Sequence, residues 1–134
     1  MTISALLKKL NLKDQTEIVV VNASASFEPE LAKLDSVRVV RDPAKVKKVD
    51  FAIAFAITQA ELDRASRELT AKADGDAILW IAYPKGTSKR YKCEFNRDSG
   101  WAVLGDAGFE SVRMVAMDED WSALRFRRKE YVKR

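Results

Sequence analysis

Histidine is absent from all 134 residues, which removes imidazole acid–base catalysis, Ser-His-Asp and Cys-His nucleophilic arrangements and ordinary zinc sites together. Little remains that could do chemistry. Cys93 is the single thiol; Lys89, Arg90 and Lys92 nearby would lower its pKa, but it has no adjacent base or resolving cysteine. Asp118-Glu119-Asp120 offers oxygen ligands of the kind a hard cation takes. Adjacent acids in one turn rarely converge on one ion, so a solvated or salt-bridged turn is preferred and no metal is expected. The third candidate is the loop Asn22-Ala23-Ser24-Ala25-Ser26-Phe27, which follows an unbroken apolar run. In open α/β sheets that loop brings backbone close to a ligand, and an acid some twenty positions on, here Asp42, meets ribose hydroxyls.

Two features weaken a dinucleotide site at that loop. It has no glycine, and alanine or serine reaches positive φ only at a cost. The following helix, about Pro29 to Leu34, opens with Glu28-Pro29-Glu30, which brings negative charge and a missing N–H to the end a pyrophosphate needs. Asp42 also precedes Pro43, so it reads equally well as a turn residue.

The elements that must position these residues are legible as apolar runs. Ala77-Ile78-Leu79-Trp80-Ile81-Ala82-Tyr83-Pro84-Lys85 is unbroken and stops at a proline, as a central strand covered on both faces would. Glu17 to Val21 is a first strand, Val37 to Arg41 a shorter second one, and Asp50 to Ile57 a third. Thr58-Gln59-Ala60-Glu61 spells a capping box for a helix with Leu62, Ala65 and Leu69 on one face, Asp63/Arg67 and Arg64/Glu68 pairs on the other, and Gly75 as its stop. Strand, helix and central strand then form a right-handed parallel unit. Asp98 or Ser99 is expected to cap a later helix that buries Trp101, Val103 and Leu104 and ends at Ala107-Gly108. Ser111 to Met117 reads as a fifth strand, and the short turn Asp118–Asp120 forces Trp121 to Arg127 to return antiparallel. A short helix at 3–10, capped by Ser4, precedes them all. The tryptophans belong to the core, with Trp121 expected to be the most exposed of them.

Length and composition fit one domain over residues 1–134, without repeats, and the lone cysteine and absent secretory h-region point to a cytoplasmic protein. The apolar runs are far shorter than the ~20 residues that span a bilayer, so no membrane partner is expected. The net charge of +4 is unevenly spread. Basic residues gather in the tail at 128–134 and just before it, in Lys85, Lys89, Arg90 and Lys92, and in Arg41, Lys45, Lys47 and Lys48. Each cluster is either a solvated surface or a place for an anionic partner. The turn at Asp118–Asp120 falls on the same sheet edge as Lys85 and Arg90, and the two loops are expected to pair there.

Five parallel strands closed by an antiparallel hairpin resemble the class I methyltransferase layout from Glu17 onward. That likeness implies a Rossmann-like three-layer α/β sandwich with a six-stranded sheet in the order 2-1-3-4-6-5, the sixth strand antiparallel; the alternative is a hairpin that sits wholly outside the sheet. Trp80-Ile81-Ala82-Tyr83-Pro84-Lys85 and Asp118-Glu119-Asp120-Trp121-Ser122-Ala123-Leu124-Arg125-Phe126, with Asn22-Ala23, are also similar to a family of small bacterial proteins of unknown function with this reduced layout. This chain departs from that family's pattern at Tyr83 and Ser24, where tryptophan and proline are common. The resemblance implies a fold without a reaction.

On these residues the preferred reading is a non-catalytic, degenerate methyltransferase-like module that binds a protein or small molecule and needs no cofactor. The alternative is a small S-adenosylmethionine-dependent methyltransferase, with Asn22, Ser24, Ser26 and Asp42 on the cofactor. A second alternative is a nucleic-acid-binding module using the basic tail, with Tyr91 or Tyr131 to stack on bases. The candidate ligand crevice is completed by Phe55, Thr58, Tyr83 and Lys85, and no residue is assigned a catalytic role.

Overall fold

The computed structural model describes residues 5–96 and 98–132. Its strands are β1 (Glu17–Val21), β2 (Arg38–Val40), β3 (Val49–Phe55), β4 (Ala73–Pro84), β5 (Phe109–Ala116) and β6 (Trp121–Arg128). They form a single six-stranded sheet in the order β2-β1-β3-β4-β6-β5, with β6 antiparallel to both neighbours and the other pairings parallel. This is the expected topology. Four helices cover the sheet: α1 (Ala5–Lys9), α2 (Glu28–Ala32), α3 (Gln59–Lys72) and α4 (Ala102–Asp106). The Ser4 cap and the tail residues Lys133 and Arg134 lie outside the described residues.

The unbroken apolar run of β4 has the two-sided burial it implies. Leu79, Ile81 and Tyr83 enter one cluster with Leu62, Ala65 and Leu69 of α3 and Leu104 of α4. Trp80 and Ala82 enter the other with Leu7, Leu10 and Leu31 from the α1 and α2 side. Period-two alternation thus builds a helix layer on each face. Trp80 is fully buried, and its indole N–H donates to the Leu10 carbonyl at 2.8 Å. That bond ties the segment after the first helix to the central strand and satisfies the buried indole donor.

Several local expectations need correction. The α3 helix carries the expected capping box, but it runs directly into extended backbone at Ala73, and Gly75 is not its stop. Gly75 has φ +54° inside the irregular opening of β4, where the pairing jumps from Val49 with Ala73 to Phe51 with Ile78. Of the two ion pairs expected on α3, Arg64–Glu68 forms at 3.2 Å, whereas Asp63 accepts from the Gln59 amide at 2.9 Å. Neither Asp98 nor Ser99 caps α4, whose N-cap is Trp101 without a side-chain bond. Asn96 organises that turn instead: its side-chain oxygen accepts from the Asp98 N–H at 2.8 Å and its carbonyl from the Trp101 indole at 2.8 Å. Trp121 is buried at 4% exposure, and Trp101 is the half-exposed tryptophan. Trp121 is enclosed because its ring packs between Phe55 and Tyr91, with centroids at 5.2 and 5.1 Å. Among the described residues no helix is long and apolar enough to cross a membrane.

Candidate functional site

The parallel strands end at one edge of the sheet, where loops gather and ligands of such folds bind. The structure divides the sequence candidates between two clefts on that edge.

The first cleft, about 420 Å³, lies at the ends of β1 and β2 beneath α3, and both Asn22 and Asp42 line it. Asn22 has φ +55°. A loop without glycine was expected to fail in making the tight turn, yet Asn22 makes it, because a short carboxamide tolerates the left-handed region better than most side chains. Asp42 is the N-cap of the 3-10 turn Pro43–Lys45: one carboxylate oxygen accepts from the Ala44 N–H at 3.0 Å, and the other has no partner among the described residues. Arg41 beside it reaches the first turn of α2, where its guanidinium fork grips Glu28 at 2.8 Å through both nitrogens. This exposed pair neutralises the acid that would repel an anion at α2, and the hydrogen bond from Arg41 holds the Glu28 carboxyl below its ordinary range. Glu61 forms part of the wall. The Thr58 and Ile57 backbone N–H groups donate to it at 2.9 and 3.0 Å and keep it ionised by lowering its pKa.

The remaining sequence candidates sit elsewhere. Ser24 is buried and its hydroxyl lies 3.0 Å from that of Ser26, while Ser26 donates to Asp118 at 2.7 Å. These two serines fasten the β1–α2 loop to the β5–β6 turn and do not line the first cleft. Phe55 is no wall either: at 2% exposure it packs between Phe27 and Trp121, both at 5.2 Å. The Thr58 hydroxyl is taken by the Glu61 N–H at 3.1 Å.

Tyr83 and Lys85 belong to the second cleft, about 550 Å³, which the segment from Tyr83 to Asn96 encloses. The acidic turn does pair with this loop, but not through the Lys85 ammonium. Lys85 contributes its backbone N–H to the Asp120 carbonyl at 2.7 Å. Ser88, absent from the sequence expectation, donates to the Asp120 carboxylate at 2.8 Å, and Arg90 stands 3.7 Å from the same carboxylate. Its neighbour Asp118 accepts the Asp120 and Trp121 N–H groups at 2.8 and 2.9 Å. Asp118 is therefore engaged by its own turn and by Ser26, and Asp120 by the basic loop, and no group of three or more metal-ligating side chains converges among the described residues. Cys93 is half-buried, and that burial pushes its thiol pKa up, opposite to the lowering expected from its cationic neighbours in sequence.

The tail arginines face the opposite edge. Arg127 grips Asp76 at 2.8 and 2.6 Å, and Arg128 donates to the Ala73 and Gly75 carbonyls while lying over the Phe109 ring at 4.9 Å.

In fold the chain is similar to a SAM-dependent methyltransferase from Aquifex aeolicus, with TM-score 0.66 and 18% identity over 91% of this chain and 87% of that one. It is similar also to the magnesium protoporphyrin IX methyltransferase of Synechocystis PCC 6803 with SAH bound, with TM-score 0.59 and 16% identity over 92% of this chain and 78% of that one. The N-methyltransferase NodS of Bradyrhizobium japonicum WM9 matches with TM-score 0.57 and 13% identity over 92% of each chain. No family model matches the chain, and no curated protein matches its sequence. The sheet is therefore that of a methyltransferase-like Rossmann-type fold, and at these identities the likeness is one of fold.

Proposed function

We propose that the cleft at the ends of β1 and β2 binds S-adenosylmethionine and that the protein is a small methyltransferase. This reverses the preference for a non-catalytic module, which rested on the glycine-free loop and on the short helix, opened by acids and a proline, that follows it. One observation carries the reading: in a methyltransferase-like sheet, a left-handed Asn22 and an Asp42 with an open oxygen line the same 420 Å³ cleft, a volume in the range of small-molecule sites. The residues suit the adenosine half. The open oxygen of Asp42 would accept from ribose hydroxyls, and the Asn22 turn would bring backbone close. When bound, the cofactor would supply a methyl group on a positively charged sulfur. The protein's own part would be to orient an acceptor and exclude water, and the absence of histidine is no obstacle to that.

A second reading has its own observation. Phe27, at 2% exposure, packs on Phe55, and the Ser24–Ser26–Asp118 chain ties the rest of the loop to the β5–β6 turn; a loop so filled and fastened favours a domain that holds a nucleoside without transferring a methyl group.

Calorimetry with S-adenosylmethionine and S-adenosylhomocysteine tests both. The methyltransferase reading expects binding of each, weakened about tenfold by Asp42→Ala, and formation of S-adenosylhomocysteine when an acceptor panel is added. Binding without product on any acceptor would favour the second reading. No binding of either compound at millimolar concentration would refute both.

A further inference from the structure

We propose that the cleft enclosed by residues 83–96 is an anion-binding site for a small ligand carrying phosphate or paired carboxylates.

Charge is the first argument. Lys85, Lys89, Arg90 and Lys92 line the cleft with Glu94 as the single acid, and Glu94 already accepts from the Gln59 N–H at 2.9 Å. Among the described residues Lys85, Lys89 and Lys92 have no carboxylate partner, and Arg90 shares Asp120 with Ser88. Like charges held around one concavity raise its potential, and a bound anion relieves their repulsion.

Preorganisation is the second. A basic surface loop free to move would spread its cations, but this one is pinned along its length. The Ser88 hydroxyl bonds Asp120 and stands 3.2 Å from both the Arg90 and Tyr91 N–H groups. Tyr91 packs on Trp121. The Glu94 N–H donates to the Ile57 carbonyl at 2.9 Å, and buried Phe95 packs between Tyr83 and Trp101 at 5.9 and 5.3 Å. The cleft is built before a ligand arrives, so little ordering opposes binding.

The surroundings favour a small anion over a nucleic-acid strand, which needs a continuous basic track. Asp118, Glu119 and Asp120 border the loop on one side. In the neighbouring cleft Arg41 and Arg64 are offset by Asp42, Glu61 and Glu68, so the basic stretch does not continue across that edge.

The test is calorimetry of the full chain with inorganic pyrophosphate and with citrate at low salt, repeated on Lys89→Ala/Lys92→Ala and on the control Lys45→Ala/Lys47→Ala. The site predicts binding of at least one anion, about tenfold weaker in the first variant and unchanged in the control, with melting temperatures unchanged in both. Pyrophosphate alone would assign a phosphate ligand, and citrate alone a carboxylate one. Absence of binding to both, or equal loss in the two variants, would overturn the proposal, as would a single-stranded RNA that binds far tighter than pyrophosphate. The two proposals fail separately: S-adenosylmethionine binding without anion binding sinks only this site, and anion binding without S-adenosylmethionine sinks only the cofactor reading.

Discussion

The two clefts share one edge of one sheet and treat charge in opposite ways. Around Asn22 and Asp42 each charged side chain of the lining is engaged: Arg41 with Glu28, Arg64 with Glu68, Glu61 with two backbone N–H groups, and Asp42 with Ala44. Around Lys85 to Asn96 the single acid is engaged, and three lysines have no carboxylate partner among the described residues. A compensated cleft selects by hydrogen bonding and shape, whereas an uncompensated one selects by field. Ligand affinity at the first should therefore change little between low and physiological salt, and at the second it should fall steeply.

The largest break in the comparison is expected from Gly100→Ala. Gly100 has φ +100°, and a Cβ there would stand 2.7 Å from both the Phe95 Cβ and the Gln59 side-chain oxygen. Gln59 also donates to the Gly100 carbonyl at 2.8 Å, so strain enters where the basic loop meets α3. A loss of about 2–3 kcal/mol in chemical denaturation is expected, with weaker anion binding and an intact first cleft.

Next come two substitutions at one position of the first cleft. Asn22→Ala should cost about 1 kcal/mol because alanine resists the left-handed region, while Asn22→Gly should stay within about 0.5 kcal/mol. Equal costs by urea titration would mean that the turn does not need this conformation.

Thr58→Ala should remove about 1 kcal/mol by deleting the α3 cap. Glu61, the reciprocal partner, has a pKa lower in the fold than in the unfolded chain. Its contribution is therefore complete above the unfolded value of about 4.3 and is lost as pH falls through the lower folded value. Glu61→Gln should flatten that acid slope in melting temperature between about pH 5 and 3, and an unchanged slope would remove Glu61 from the account.

The smallest effect on stability is expected from Lys85→Glu, within about 0.5 kcal/mol, since only the main chain of Lys85 joins the acidic turn. The same change should abolish the affinity of the second cleft for pyrophosphate. A large loss of stability would restore the ammonium to the joint.

These contrasts also mark what the sequence could disclose. The parallel strands and the antiparallel return were legible because β1, β3 and β4 are unbroken apolar runs and the turn Asp118–Asp120 leaves no length for a crossover, whereas the strand order came from the resemblance to class I methyltransferases. The α3 cap was legible because its hydrogen bonds join residues three apart. Features that depend on distant partners were not. Whether Asn22 or a later loop residue takes the left-handed turn depends on how the loop is anchored, and the Ser26–Asp118 bond joins residues 92 positions apart. The Cys93 thiol showed its cationic neighbours in sequence but not the burial that raises its pKa. The basic cluster was visible, whereas Ser88, which pins it, looked like an ordinary loop serine.

The position of β6 has a consequence for how the molecule is assembled. β6 is made after β5 yet lies between β5 and β4, pairing Leu79–Pro84 with Trp121–Phe126 on one side and Phe109–Ala116 on the other. A nascent chain that has reached Ala116 holds Trp80 and Ile81 in a strand with one flank bare, and its newest strand has no place to dock. Closure of the sheet therefore waits for the final hairpin, and any ribosome stall before it leaves an adhesive edge for chaperones to shield.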